Sequence, residues 1–125
     1  MSEKVDILAI GAHPDDIELG CGGTLMKEIK MGKKVGLMDL TQGELGTRGS
    51  KEIRNKEAEL ARNFMGAEFR DNLLLDDCFF ENNRDNQIKL ISKIRRYQPE
   101  IIICNAPDDR HLDHAKAAKL VVDAC

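Results

Sequence analysis

The run Val5-Asp6-Ile7-Leu8-Ala9-Ile10, closed by Gly11 and then by Pro14, constrains this chain more than any other segment. It is too short for an ordinary helix, it is rich in aliphatic residues, and glycine and proline stop it. It therefore reads as a buried strand entering a loop. A second run of this kind, Ile101-Ile102-Ile103-Cys104, ends in Asn105-Ala106-Pro107. Strand and helix patterns alternate between the two. Residues 5–10 form a first strand. Gly20-Cys21-Gly22-Gly23 opens a helix to about residue 31, and residues 35–40 form a second strand. A loop over residues 41–50 carries Gly43, Gly46 and Gly49. Ser50 begins a helix that runs to residue 65, with Gly66 after it. A short strand over 68–75, a helix over 85–97, a strand over 100–105 and an amphipathic helix over 115–125 complete the order. This alternation predicts an α/β fold, a mainly parallel sheet with helices on both faces and right-handed crossovers.

The 125 residues fit a single domain with a core of its own. The last helix stops without a glycine cap, a proline or a polar tail, so the expectation is that residues 1–125 are the N-terminal part of a longer fold. An unfinished sheet edge in such a part is expected to pair with something, a homo-oligomer being one candidate. Net charge is −3 with both signs interspersed, and aromatic residues make up 4%. Nucleic acid is thereby excluded as a partner, since neither a basic face nor a base-stacking platform is evident. No apolar stretch is long enough to span a membrane. The N-terminus shows no signal-peptide pattern, so a cytoplasmic protein is expected. Cys21, Cys78, Cys104 and Cys125 lack any C-x-x-C spacing and read as free thiols.

The chemistry gathers at two strand ends. His13-Pro14-Asp15-Asp16 follows the first strand, and Asp108-Asp109-Arg110-His111-Leu112-Asp113-His114 follows the last. All three histidines of the chain lie in these two segments. In open α/β sheets ligands bind in the crevice outside the carboxyl ends of strands, so parallel neighbours would bring both clusters to one edge. A catalytic zinc takes three protein ligands and keeps a position for water. His13 and Asp16 can reach one ion after a tight turn, and His114 would supply the third ligand. Asp15 is then the carboxylate beside the water, able to take its proton; its competing role is a loop or helix cap. His111 can face the same cavity and stabilise an oxyanion, with Asp113 fixing its tautomer. Alternatively His111 is the ligand and His114 a helix N-terminal residue; spacing leaves this open. Arg48, in the glycine-rich loop, and Arg54 can hold a carboxylate or phosphate. For Arg54 the competing reading is a solvent pair with Glu57. Gly20-Cys21-Gly22-Gly23 does not satisfy G-x-G-x-x-G and reads as close helix packing rather than a dinucleotide site.

Taken together, Ala12-His13-Pro14-Asp15-Asp16 with Glu18, Thr41-Gln42-Gly43-Glu44, Thr47-Arg48-Gly49 and His111-Leu112-Asp113-His114 resemble the LmbE-like, or N-acetylglucosaminyl-phosphatidylinositol de-N-acetylase, family of zinc deacetylases. Within it, the loop from Gly43 to Ser50 and Asp109-Arg110-His111 look most like the branch acting on N-acetylglucosaminyl-malate in bacillithiol biosynthesis. The resemblance implies a Rossmann-like sheet, one zinc held by His13, Asp16 and His114, and Asp15 as general base. It implies His111 as the group stabilising the tetrahedral intermediate, oriented by Asp113. It places Arg54 and Asp77 at sugar hydroxyls and Arg48 near the aglycone. The sequence departs from the family pattern in three ways. Leu112 replaces a proline, the segment from Asn72 to Cys78 lacks the expected glycines and proline, and the chain is shorter than family members. The expected function is zinc-dependent removal of acetyl from an N-acetylated amino-sugar conjugate. The rival expectations are a truncated or partner-dependent zinc domain without turnover, and a metal-free nucleotide-binding module.

Overall fold

A computed structural model describes residues 3–47 and 49–125. Eight elements alternate along the chain: β1 (Ile7–Gly11), α1 (Asp16–Lys30), β2 (Val35–Thr41), α2 (Lys51–Met65), β3 (Phe69–Leu75), α3 (Arg84–Tyr97), β4 (Ile101–Ile103) and α4 (Leu112–Ala124). The strands form one parallel sheet in the order β3-β2-β1-β4, with Ile7 in register with Val35 on one side and Ile101 on the other. Successive residues of β1 point to opposite faces. Leu8 and Ile10 pack with Leu90, Tyr97, Leu120 and Val121 of α3 and α4. Ile7 and Ala9 pack with Ile17, Leu25 and Met65 of α1 and α2. The α/β architecture read from the alternating pattern is the observed one. The chain steps from β1 to β2 to β3, then crosses back to place β4 on the other side of β1. That reversal puts a switch point between β1 and β4, where a crevice opens at the strand ends.

Three of the differences in element boundaries from the sequence expectation shape the site. The first helix starts at Asp16, not Gly20, with Asp15 at its N-cap and Asp16 and Glu18 in the first turn, where the helix dipole favours acids. The glycines lie inside this helix, which breaks its regular geometry at Cys21 (φ −147°, ψ 15°). The last helix starts at Leu112, three residues early, because His111 caps it: the His111 Nδ1 accepts from the Asp113 N–H at 3.1 Å. The last strand ends at Ile103 rather than residue 105, and Asn105 instead turns its side-chain oxygen to the Ala12 N–H at 2.9 Å.

A buried ion pair fixes α1 on the sheet. Arg70 of β3 donates two hydrogen bonds to Asp39 of β2, at 2.8 and 2.9 Å, and one to Glu18 of α1 at 3.0 Å. The Arg70 and Asp39 side chains are 4% and 2% exposed. Burial pushes the Asp39 carboxyl up to about 6 against the pull of Arg70. Among the described residues no helix is long and apolar enough to cross a membrane.

Candidate active site

The loops leaving β1 and β4 meet at the switch point. His13 Nδ1 lies 3.4 Å from Asp16 Oδ2, and His114 Nε2 lies 3.2 Å from the same oxygen. One ligand atom from each of His13, Asp16 and His114 falls within 4.8 Å of the other two. A tetrahedral ion with bonds of about 2.0–2.1 Å would hold its ligand atoms roughly 3.3 Å apart, so the donor set and its spacing fit zinc. The ring nitrogens that face away from Asp16 strengthen the fit. His13 Nε2 is 2.8 Å from Asp113 Oδ2 and 3.2 Å from Asp77 Oδ1. His114 Nδ1 is 3.0 Å from Asp109 Oδ2. A carboxylate behind each imidazole is the arrangement that orients metal-ligating histidines and raises their basicity.

Carboxylates dominate the electrostatics at His13. Burial alone would depress its pKa, but hydrogen bonds to Asp16 and Asp113 and the charge of Asp77 outweigh that and raise it to about 9. Three carboxylates around one ring therefore favour positive charge at this point. Asp16 is desolvated too, yet its contacts with His13 and His114 hold its carboxyl below the usual range.

The other residues singled out in the sequence take up varied positions. Asp15 occupies the N-cap position of α1 with φ +103°, a strained conformation for a residue with a side chain, and its carboxylate makes no cap hydrogen bond. Burial, and then the neighbouring charge of Asp16, raise its pKa. His111 lies 4.8 Å from the His13 ring, centroid to centroid. Because its Nδ1 accepts from the Asp113 N–H, its proton sits on Nε2, free to donate. His111, His13 and Asp113 also form a cluster within 4.8 Å. In that cluster, however, the Asp113 carboxylate is already spent on His13 and on the Cys78 N–H (3.1 Å).

This corrects one expectation. Asp113 turns its carboxylate to His13, not to His111, since the early start of α4 buries it in the first turn. Asp77 is 5% exposed. Its Oδ2 accepts from the Leu45 N–H at 2.9 Å, so it braces two loops. Arg54 donates to the Gly43 carbonyl at 2.9 Å and the Pro14 carbonyl at 3.0 Å, which ties the β1 and β2 loops together instead of forming a solvent pair with Glu57. Arg48 lies outside the described residues.

Sequence reasoning assigned no role to Asp109, Asn105 or Lys116. Asn105 bridges the β1 and β4 loops, with its amide nitrogen 3.5 Å from Asp16 Oδ2. Lys116 donates to the Cys78 and Phe80 carbonyls at 3.2 and 2.9 Å and so holds the loop that supplies the Cys78 N–H. Asp109 was visible as a carboxylate five residues before His114; the others carried no signal short of three-dimensional contact.

Two clefts flank the cluster. One, of about 380 Å³, is lined by Asp15, Thr47, Arg54 and Glu57. The other, of about 470 Å³, lies between the first half of α1 and the end of β4 and reaches Asp16 and His114.

A parallel sheet covered by helices on both faces, with a histidine–carboxylate cluster able to hold a metal ion at its switch point, defines the class of α/β protein. Within that class, the chain belongs to the PIG-L family, GlcNAc-PI de-N-acetylase, which matches residues 8–125. It is 33% identical to the uncharacterized deacetylase YaiS of Escherichia coli (strain K12), covering 99% of this chain and 70% of that one. Its fold is similar to that of the conserved protein TT1542 from Thermus thermophilus (TM-score 0.92, 40% identity), over 96% of this chain and 55% of that one. It is also similar to N,N'-diacetylchitobiose deacetylase from Pyrococcus horikoshii (TM-score 0.87, 29% identity), over 94% of this chain and 48% of that one. The chain thus spans about half the length of these two structures.

Proposed function

We propose that this chain carries the catalytic half of a zinc-dependent hydrolase that removes the acetyl group from an N-acetylated amino sugar. One observation supports this above the others: His13, Asp16 and His114 converge, and the far nitrogen of each imidazole meets a carboxylate. Zinc held by these three residues would supply Lewis-acid polarisation of the amide carbonyl and acidify the attacking water. Asp15 accepts the proton of that water and returns it to the leaving amine. The His111 Nε2–H donates to the oxyanion as it develops. Asp113 and Asp77 hold His13, and Asp109 holds His114, so that neither ring must reorganise during reaction. Arg54 keeps the loops on either side of Asp15 in register.

The finer reading takes the substrate as N-acetylglucosaminyl-malate, in the cytoplasm. It rests on the loop from Gly43 to Ser50 and on an arginine, Arg48, suited to malate's carboxylates. The chain's partial span of its relatives favours one second reading, a zinc-binding domain that turns over only with the remaining half. Both are tested by measuring zinc content and amine release from N-acetylglucosaminyl-malate. About one zinc per chain with turnover supports the hydrolase, and zinc without turnover supports the second reading. Asp15→Asn is expected to keep the metal and to lose about two to four orders of magnitude in rate. Full activity in that variant would remove Asp15 from the mechanism.

A further inference from the structure

We infer that Glu18 is a positioning residue: tied to the sheet by a hydrogen bond from Arg70, it holds Asp16 in place between the two imidazoles. The inference rests on the metal site of the hydrolase reading above and deepens it. Asp16 rides on a weak piece of helix. At its start Asp15 makes no cap hydrogen bond, and at Cys21 the helix leaves regular geometry. Residues 16–20 are all of α1 that precedes this break, and Gly20, Gly22 and Gly23 flank it without side chains to pack. Three consecutive side chains anchor the piece in three directions, since each residue turns by roughly 100° about the helix axis. Ile17 enters the core with Ile7, Ala9 and Leu25. Asp16 lies against β1, where a Cβ added at Gly11 would come within 3.1 Å of its own Cβ. Glu18, on the far side of the axis from Asp16, accepts from Arg70 Nη2 at 3.0 Å.

Arg70 is a firm point of attachment. It is buried and forked onto Asp39, which stands beside Gly11 in the register of β2 against β1. His13 follows Gly11 by two residues, so the tether refers Asp16 and His13 to the same strand end. An apolar anchor such as Ile17 is non-directional and resists separation more than rotation. A turn of about 10° about that anchor, at a radius of about 5–6 Å, would carry the Asp16 carboxylate about 1 Å, roughly half a zinc–oxygen bond. The hydrogen bond between Glu18 and Arg70 lies across this rotation and opposes it. Glu18 is outside the donor cluster of His13, Asp16 and His114, so it acts through Asp16.

The test compares Glu18→Ala, which removes the acceptor, with Glu18→Gln, which removes the charge and keeps an acceptor oxygen for Arg70. The Glu18 side chain is 26% exposed and Arg70 keeps both bonds to Asp39, so neither change endangers the fold. Zinc affinity is measured by chelator competition. Amide hydrogen exchange is followed in the metal-free chain at Leu19, whose N–H donates to the Asp15 carbonyl at 3.0 Å. Glu18→Ala is expected to weaken zinc binding about tenfold, the low end for groups that support metal ligands, and to speed exchange at Leu19. Glu18→Gln is expected to stay within about twofold of the unsubstituted chain in both. Ile94→Ala, which loosens the core on the opposite face of the sheet, is expected to lower the melting temperature and leave zinc affinity unchanged. Unchanged zinc affinity in Glu18→Ala overturns the inference. So does a loss in Glu18→Gln, or in Ile94→Ala, equal to that in Glu18→Ala. In each of these cases zinc binding by the unsubstituted chain leaves the hydrolase reading standing. A chain that binds no zinc loses the hydrolase reading, and exchange at Leu19 then decides the tether by itself. Faster exchange in Glu18→Ala than in Glu18→Gln supports it, and equal exchange overturns it.

Discussion

Asp113→Asn and Asp109→Asn provide a paired test of the two carboxylates behind the imidazoles. Both substitutions keep the shape of the side chain and remove its charge. The Asp113 side chain is 2% exposed and its Oδ2 sits 2.8 Å from His13 Nε2. A buried hydrogen bond with a charged partner contributes about 1.5–3 kcal/mol. At about 1.36 kcal/mol per tenfold, its loss corresponds to roughly 10–100-fold weaker zinc binding, the scale found for groups that orient metal ligands. The Asp109 side chain is 36% exposed, and water screens its 3.0 Å contact with His114. Its loss is expected to weaken zinc binding less than about fivefold. Zinc affinity would be measured by competition with a chromophoric chelator, and thermal unfolding of each metal-free variant would show that the fold persists. An equal or reversed order, with both variants folded, would refute the reasoning that burial of the partner carboxylate governs how firmly each imidazole is held.

The remaining predictions concern stability. Arg70→Met leaves the Asp39 carboxylate buried and unpaired, and is expected to cost about 3–5 kcal/mol in urea unfolding at pH 7. The loss should shrink on acidification. Asp39 already has a folded-state pKa of about 6 against its ordinary 3.8, and without Arg70 it rises further. A carboxyl raised in this way is most easily accommodated below its unfolded pKa and costs stability as pH rises through the folded one. A deficit that does not change between about pH 4 and 7 would sink this account. Gly43→Ala meets two obstacles, a φ of +63° and the Arg54 guanidinium in the space its Cβ would fill. It is expected to lower stability by more than about 1 kcal/mol, and an unchanged melting temperature would contradict that.

Much of the fold can be read along the chain because its determinants are local. The aliphatic runs of β1 and β4, the serine cap at Ser50 and the positive-φ Gly66 after α2 each act within a few residues. The N-termini of α1 and α4 were the exceptions. Glycines drew the expected start of α1 toward residue 20, although an acidic first turn and contacts to Arg70 hold its true start at Asp16. His111 caps α4 and starts it at Leu112, which places Asp113 and His114 in its first turn.

The sequence by itself determined the parallel α/β order and the residue types that gather at the strand ends, because strand periodicity and turn chemistry are short-range. Only the tertiary structure decided which carboxylate meets which ring. His13 and Asp113 are 100 positions apart. Their contact depends on the register of Ile7 against Ile101 and on the rotational phase of α4. Neighbouring side chains on a helix point in different directions, so Asp113, between His111 and His114, reaches neither ring with its carboxylate and braces the one on β1's loop instead.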